Sequence, residues 1–242
     1  TGTDNVFIGR SAGYSTTTAA NNVAVGYQAM FDNTTGTTNT AIGRYALKDN
    51  TTGDNNVALG ASALENNTTA ASNTAVGYAS LTANTTASNN TAVGYVSLGA
   101  NTTGTLNTAV GTNSMATNTT GSYNTALGRS ALLLNTTASN NTAVGYQAGY
   151  AITTGNQNTL IGGLAGDALT SAGRNVAIGY SALSSEQLGE YNVAIGYLAL
   201  GSQVNVSAVA TYNTAIGYSA GAVITTGVNN TLIGGLAGDA IT

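Results

Sequence analysis

Asn22-Val23-Ala24-Val25-Gly26-Tyr27-Gln28-Ala29 is one copy of a unit that recurs along all 242 residues, and its spacing decides the fold. The glycines of successive copies are Gly9, Gly26, Gly43, Gly60, Gly77, Gly94, Gly111, Gly128, Gly145, Gly162, Gly179, Gly196, Gly217 and Gly234. Every interval is 17 residues except the 21 from Gly196 to Gly217, so fourteen turns carry one four-residue insertion. A longer echo lies on top: ITTGNQNTLIGGLAGD at 152–167 returns as ITTGVNNTLIGGLAGD at 224–239, so blocks of turns have been duplicated. A fixed period of this length is the signature of stacked repeats.

Around each glycine the pattern is strict. Asn stands four residues before it in all fourteen turns, and Val, Ile or Leu stands immediately before it. Two before it is Ala, except at Phe7, Leu160 and Leu232. Three after it is Ala or Ser, and four after it Leu, Met or Gly. A polar Asn-Thr-Thr-Gly or Asn-Thr-Thr-Ala stretch then leads to the next turn in the middle of the chain. A helix needs apolar spacing of three and four over ten or more residues. Here a short β-compatible run is interrupted by Gly and followed by turn signals. The pattern predicts an all-β parallel β-solenoid, or β-roll, with two short strands per turn. At about 4.8 Å per turn, fourteen turns predict a rod on the order of 65 Å long.

Stacking places like positions above one another, so Asn22, Val25, Gly26, Asn39, Ile42, Gly43, Asn141, Val144 and Gly145 are expected to form structural ladders. The Val/Ile/Leu column is expected to be the aliphatic core, and the Asn column an amide ladder at a corner. The glycine is expected at a positive-φ corner or where another backbone comes close. Side chains alternate along a strand, so Val25 inside sends Ala24 and Gly26 outward. That small, flat apolar face is then a candidate protein contact. The other arrangement is a thin roll with both faces interior.

Composition narrows the chemistry. The chain has no Pro, Cys, Trp or His, and only 6% charged residues. Without His the commonest general base is missing, and with it the usual partner of a Ser or Cys nucleophile. Without Cys or His the usual zinc and copper ligands are missing as well. We therefore expect no enzyme, cofactor or metal site. Five basic residues and a net charge of −4 argue against nucleic acid. No apolar run is long enough to span a bilayer as a helix. The chain begins with Thr and carries no leader pattern, which reads as a mature or excised segment.

Other features admit a ligand reading beside a structural one. Thr34, Thr51, Thr68, Thr85, Thr102 and Thr119 form a row that could order water and so bind ice; as adjacent Thr pairs beside Gly or Ala they read first as polar corners. Asn33, Asn50, Asn67, Asn84, Asn101, Asn118 and Asn135 open Asn-Thr-Thr sequons, candidate glycosylation sites in a secreted chain. Tyr27, Tyr78, Tyr95, Tyr146, Tyr180, Tyr197 and Tyr218 share one column, suited to stacking or to carbohydrate. The acidic residues Asp32, Asp49, Asp54, Glu65, Asp167, Glu186, Glu190 and Asp239 follow no repeating spacing and build no calcium loop. The irregular turn 184–191 and the insertion 201–211 break the pattern; a loop protruding there is where specific binding would sit, and neutral drift is the equal alternative.

The unit N-[TV]-A-[VIL]-G-x-x-[AS] resembles the N-S-V-A-I-G-x-x-S repeat of YadA-like trimeric autotransporter adhesin heads, and similar NTAVG repeats of phage-like tail fibres. The resemblance covers essentially the whole chain and implies a left-handed parallel β-roll whose copies pack as trimers. The 17-residue repeat is longer than that family's, and no neck, stalk or anchor segment accompanies it. Ala240-Ile241-Thr242 also runs into Thr1-Gly2-Thr3-Asp4-Asn5 with the 17-residue register kept, which suggests one unit of a longer array or a head-to-tail filament. The reading is an extracellular or cell-surface fibre or adhesin segment whose main partner is itself. An ice-binding or glycan-binding solenoid, with host or surface glycans as partners, is the alternative.

Overall fold

The computed structural model describes residues 2–205 and 207–240. Among them the chain is an all-β parallel β-solenoid without helix. Thr1, Ile241 and Thr242, through which the end-to-end register runs, lie outside the described residues. Two compact units divide the chain, Thr1–Gly121 and Ser122–Thr242.

The first unit contains Val6–Ile8 (β1), Val23–Val25 (β2), Thr40–Ile42 (β3), Val57–Leu59 (β4), Thr74–Val76 (β5), Thr91–Val93 (β6) and Thr108–Val110 (β7). They pair in parallel and in chain order, one per turn, with repeat positions in register: Val23 opposite Thr40, Ala24 opposite Ala41, Val25 opposite Ile42. The second unit contains Thr125–Leu127 (β8), Thr142–Val144 (β9), Thr159–Ile161 (β10), Val176–Ile178 (β11), Gly189–Glu190 (β12), Val193–Ile195 (β13), Val209–Ala210 (β14), Thr214–Ile216 (β15) and Thr231–Ile233 (β16). Its main sheet runs β8-β9-β10-β11-β13-β15-β16, and β12 pairs with β14 separately. The insertion therefore leaves the stack intact, because β13 pairs with β15 at the usual register, Val193 opposite Thr214.

A regular turn has one three-residue strand, not two. The rest is a chain of turns, and positive φ angles explain how it stays bonded. The repeat glycines take φ between 127° and 140°. A Cβ on Gly94 would lie 2.5 Å from the Gly111 carbonyl oxygen, so conformation and close approach both demand glycine. Three further positions are left-handed with ordinary side chains, as at Asn89 (φ 63°), Val96 (φ 54°) and Leu98 (φ 51°). Each reverses a peptide so that its N–H reaches a neighbouring turn: Asn89 to the Ala71 carbonyl, Val96 to Tyr78 and Leu98 to Ser114. The left-handed cost of about 1–2 kcal/mol per residue is offset by a backbone donor that would otherwise be buried unpaired.

The interior inverts the expected core. Ala24 is fully buried, and so are Ala41, Ala58, Ala75 and their counterparts. Val25 and Val144 are half-buried, while Ile42 is 39% and Leu59 44% exposed on the outer face. The interior also takes the Ala/Ser three after each glycine and the Leu or Met four after it, as at Ala46 and Leu47. Strand alternation gives the reason. Asn22 and Ala24 share a face, and the Asn must be inside to bond the backbone ends of its turn, so Val25 points out. Ala is small enough for the strand to approach the opposite Leu/Met corner closely.

Candidate functional surface

Two asparagine ladders form the polar spine. Asn22, Asn39 and Asn141 are buried, and each Oδ1 accepts the backbone N–H of the equivalent Asn one turn on: Asn39 N–H to Asn22 Oδ1 at 2.9 Å, Asn158 N–H to Asn141 Oδ1 at 2.9 Å. Each Nδ2 reaches across its own turn, Asn22 to the Gly36 carbonyl and Asn39 to the Gly53 carbonyl. The second ladder consists of the sequon asparagines. Asn50 Nδ2 donates to Asn33 Oδ1 at 2.8 Å and to the Gly53 carbonyl at 3.0 Å, so that carbonyl binds both ladders. Gly26, Gly43 and Gly145 stand at the corner after the strand, as the sequence suggests.

The glycosylation reading is corrected by this geometry. Asn33, Asn50, Asn67, Asn84, Asn101, Asn118 and Asn135 are all fully buried. Their Nδ2 groups are held by carbonyls inside the roll, as with Asn84 to Ala87 and Asn135 to Ala138. A glycan on that nitrogen has no room in the folded chain. The Thr row is likewise engaged in stacking. Thr34, Thr51, Thr68 and Thr102 each donate Oγ1–H to the carbonyl of the Thr one turn on, at 2.9–3.0 Å. A hydroxyl used in this way has no donor left to order water.

The outer face of each sheet is a uniform surface. It has two columns, Val or Thr three before the glycine and Val, Ile or Leu one before it, and neither column contains a charge. The residue after the glycine borders them and is Tyr or Arg in ten turns. Tyr78 stacks on Tyr95 with ring centroids 5.4 Å apart, and Tyr180, Tyr197 and Tyr218 stack in sequence at 5.8 and 5.3 Å. Arg10 and Arg129 lie over Tyr27 and Tyr146, each 5.9 Å from the ring centroid. Tyr197 is stacked on both sides, whereas Tyr78, Tyr95, Tyr180 and Tyr218 each stack on one neighbour of the column and stay more than half exposed.

The insertion does not project its side chains as expected. Gln203 and Thr211 are fully buried and repair the first ladder: Gln203 Nε2 and the Thr211 hydroxyl both donate to Asn192 Oδ1, and Asn213 Nδ2 donates to Gln203 Oε1. Glu186, also fully buried, occupies the place of a second-ladder Asn. Its carboxylate accepts the backbone N–H groups of Gln187, Leu188, Gly189 and Asn205, and the Asn205 side-chain amide at 2.7 Å. Within the insertion, Ser202 and residues 207–210 are exposed. Among the described residues no group of three or more His, Cys, Asp or Glu could hold a metal, neither unit contains a pocket, and no helix is long and apolar enough to cross a membrane.

The sequence holds a signal for the true core: the invariant Asn has the parity of Ala24, while Val25 has the parity of the Val/Thr column. Comparison with protein families, with curated proteins and with solved structures gave no match to this chain.

Proposed function

We propose that this chain is a structural segment of an extracellular or cell-surface fibre or adhesin, with no catalytic role, whose copies pack side by side through the outer face of the sheet. The observation that carries the reading is the uncharged Val/Thr and Val/Ile/Leu strip. Seven rungs at about 4.8 Å make it about 30 Å long in each unit. An uncharged face that repeats the same two positions on every rung is the kind of surface that marks a contact. A second copy is the fitting occupant. It brings the same strip with the same rung spacing, and with 6% charged residues overall it brings little repulsion. The absence of His and Cys supports the non-catalytic part of the reading, and the resemblance to adhesin-head repeats supports the surface role.

Ice binding by the Thr34 row loses its support, since those hydroxyls bond between turns. Size-exclusion chromatography with light scattering, followed by negative-stain imaging, tests the proposal. A discrete trimer supports it, whereas long rods that grow with concentration would point to head-to-tail stacking instead. A monomer at every concentration overturns it.

A further inference from the structure

We propose that the stacked tyrosines are a modification site: one-electron oxidation joins them as dityrosine and staples successive turns covalently. This inference is independent of side-by-side packing. Four Tyr–Tyr stacks meet the requirement: Tyr78 on Tyr95, Tyr180 on Tyr197, Tyr197 on Tyr218 and Tyr191 on Tyr212, with centroids 5.0–5.8 Å apart and planes within 22° of parallel. The backbone fixes each partner. Val96 N–H donates to the Tyr78 carbonyl, Leu198 to Tyr180, Ser219 to Tyr197 and Thr211 to Glu190. Partners held in contact react as if highly concentrated. The rings are open to a small oxidant, with Tyr78, Tyr95, Tyr180 and Tyr218 each more than half exposed.

The rest of the chain directs oxidation to these rings. There is no Cys, Trp or His, and the two methionines, Met30 and Met115, are fully buried. Tyrosine is then the most easily oxidised side chain within reach of solvent. With hydrogen peroxide and a peroxidase, one hydrogen atom leaves each of two phenols, and the peroxide becomes two waters. The two phenoxyl radicals form one carbon–carbon bond between ring carbons ortho to oxygen. Each ring regains aromaticity as its ortho hydrogen moves, as a proton, to the oxygen. Stacking order sets which rings pair.

The molecule contains its own control. Tyr14 stacks on Phe31 at 5.0 Å and 4°, but Phe31 cannot form a phenoxyl radical. The test is treatment of the full chain with peroxidase and hydrogen peroxide, followed by dityrosine fluorescence and mass spectrometry of digested peptides. The expected result is intrachain links at the four stacks, each with the loss of two hydrogens, and a raised melting temperature. Tyr95→Phe should remove the Tyr78 link alone, and F31Y should add one at Tyr14. The same treatment in denaturant should scramble the pairs. Absence of dityrosine, links chiefly between chains, or the same pair distribution folded and unfolded would overturn the proposal.

Discussion

The turns carrying Asn33 to Asn118 and the turn built around Leu160 share one backbone and fill it with different side chains. In the first region a turn places Ala58, Leu64 and Asn67 in the interior. In the second the same three places hold Leu160, Gly166 and Leu169. A Cβ on Gly166 would lie 2.8 Å from both Leu160 Cδ2 and Leu169 Cδ1, so the glycine exists because its neighbours grew. Gly149 meets Leu160, Leu132 and Ile152 in the same way. The difference teaches that volume and hydrogen-bond closure are conserved across turns, whereas side-chain identity is free to change in concert. Glu186 is a third filling of the Asn place, closed by five N–H donors in place of a ladder.

The largest effect should come from emptying that third filling. Glu186→Ala leaves backbone and side-chain donors without their acceptor, and at about 1–3 kcal/mol per buried orphan, with water recovering part, the loss should be about 3–5 kcal/mol. Asn84→Ala, which removes one member of a continuous ladder, should cost less, about 2 kcal/mol by the same reasoning. Chemical denaturation of both variants gives the order; equal losses would mean that the two fillings do not differ. Next in size is Leu160→Ala, expected to cost about 2–5 kcal/mol as a cavity. Its sharper form is a cycle with Gly166→Ala. That change should destabilise the native chain and cost less once Leu160 is gone and Leu169 alone crowds the site, a coupling of about 1 kcal/mol. Additive losses would break the comparison.

A smaller effect tests the backbone common to both regions. Val96 is β-branched and left-handed, while Asn113 occupies the same place one turn on at φ 56°. Val96→Asn should therefore raise stability by about 1 kcal/mol, seen as a higher melting temperature. The smallest effect is electrostatic. Burial raises the Asp167 pKa, and the nearby backbone N–H groups of Asp167 and Ala168 offset this only in part. The folded chain thus holds this proton more tightly than the unfolded one. Its contribution is most favourable below the unfolded carboxylate value and declines as pH rises through the raised folded value. Asp167→Asn should flatten that part of a stability–pH profile and leave the chain slightly more stable near neutrality. A steeper decline after the substitution would contradict the assignment.

The repeat, the parallel register and the roles of Gly26 and Asn22 were legible in the sequence because each demands one residue at one spacing. The direction of Val25 was not. Hydrophobicity ranks Val above Ala for burial, yet the interior is set by which parity the Asn ladder requires, and only Ala fits beside it. The sequon asparagines misled for a related reason: Asn33-Thr34-Thr35 has the composition of an exposed turn, and only the fold shows its amide buried and bonded to the Gly36 carbonyl. The insertion likewise looked like a free loop, although Gln203 and Thr211 continue the ladder once β13 and β15 pair across it.

Packing between copies through the outer strip is most directly tested by light scattering on the native chain beside a variant with Val76→Lys, Val93→Lys and Val110→Lys. These side chains lie half-buried on the outer face of β5, β6 and β7, and three like charges on adjacent rungs cost some stability, so circular dichroism first establishes that the variant is folded. The native chain should form a defined oligomer, and the variant should fall to monomer. A native monomer, or a charged variant that assembles equally well, would contradict the account.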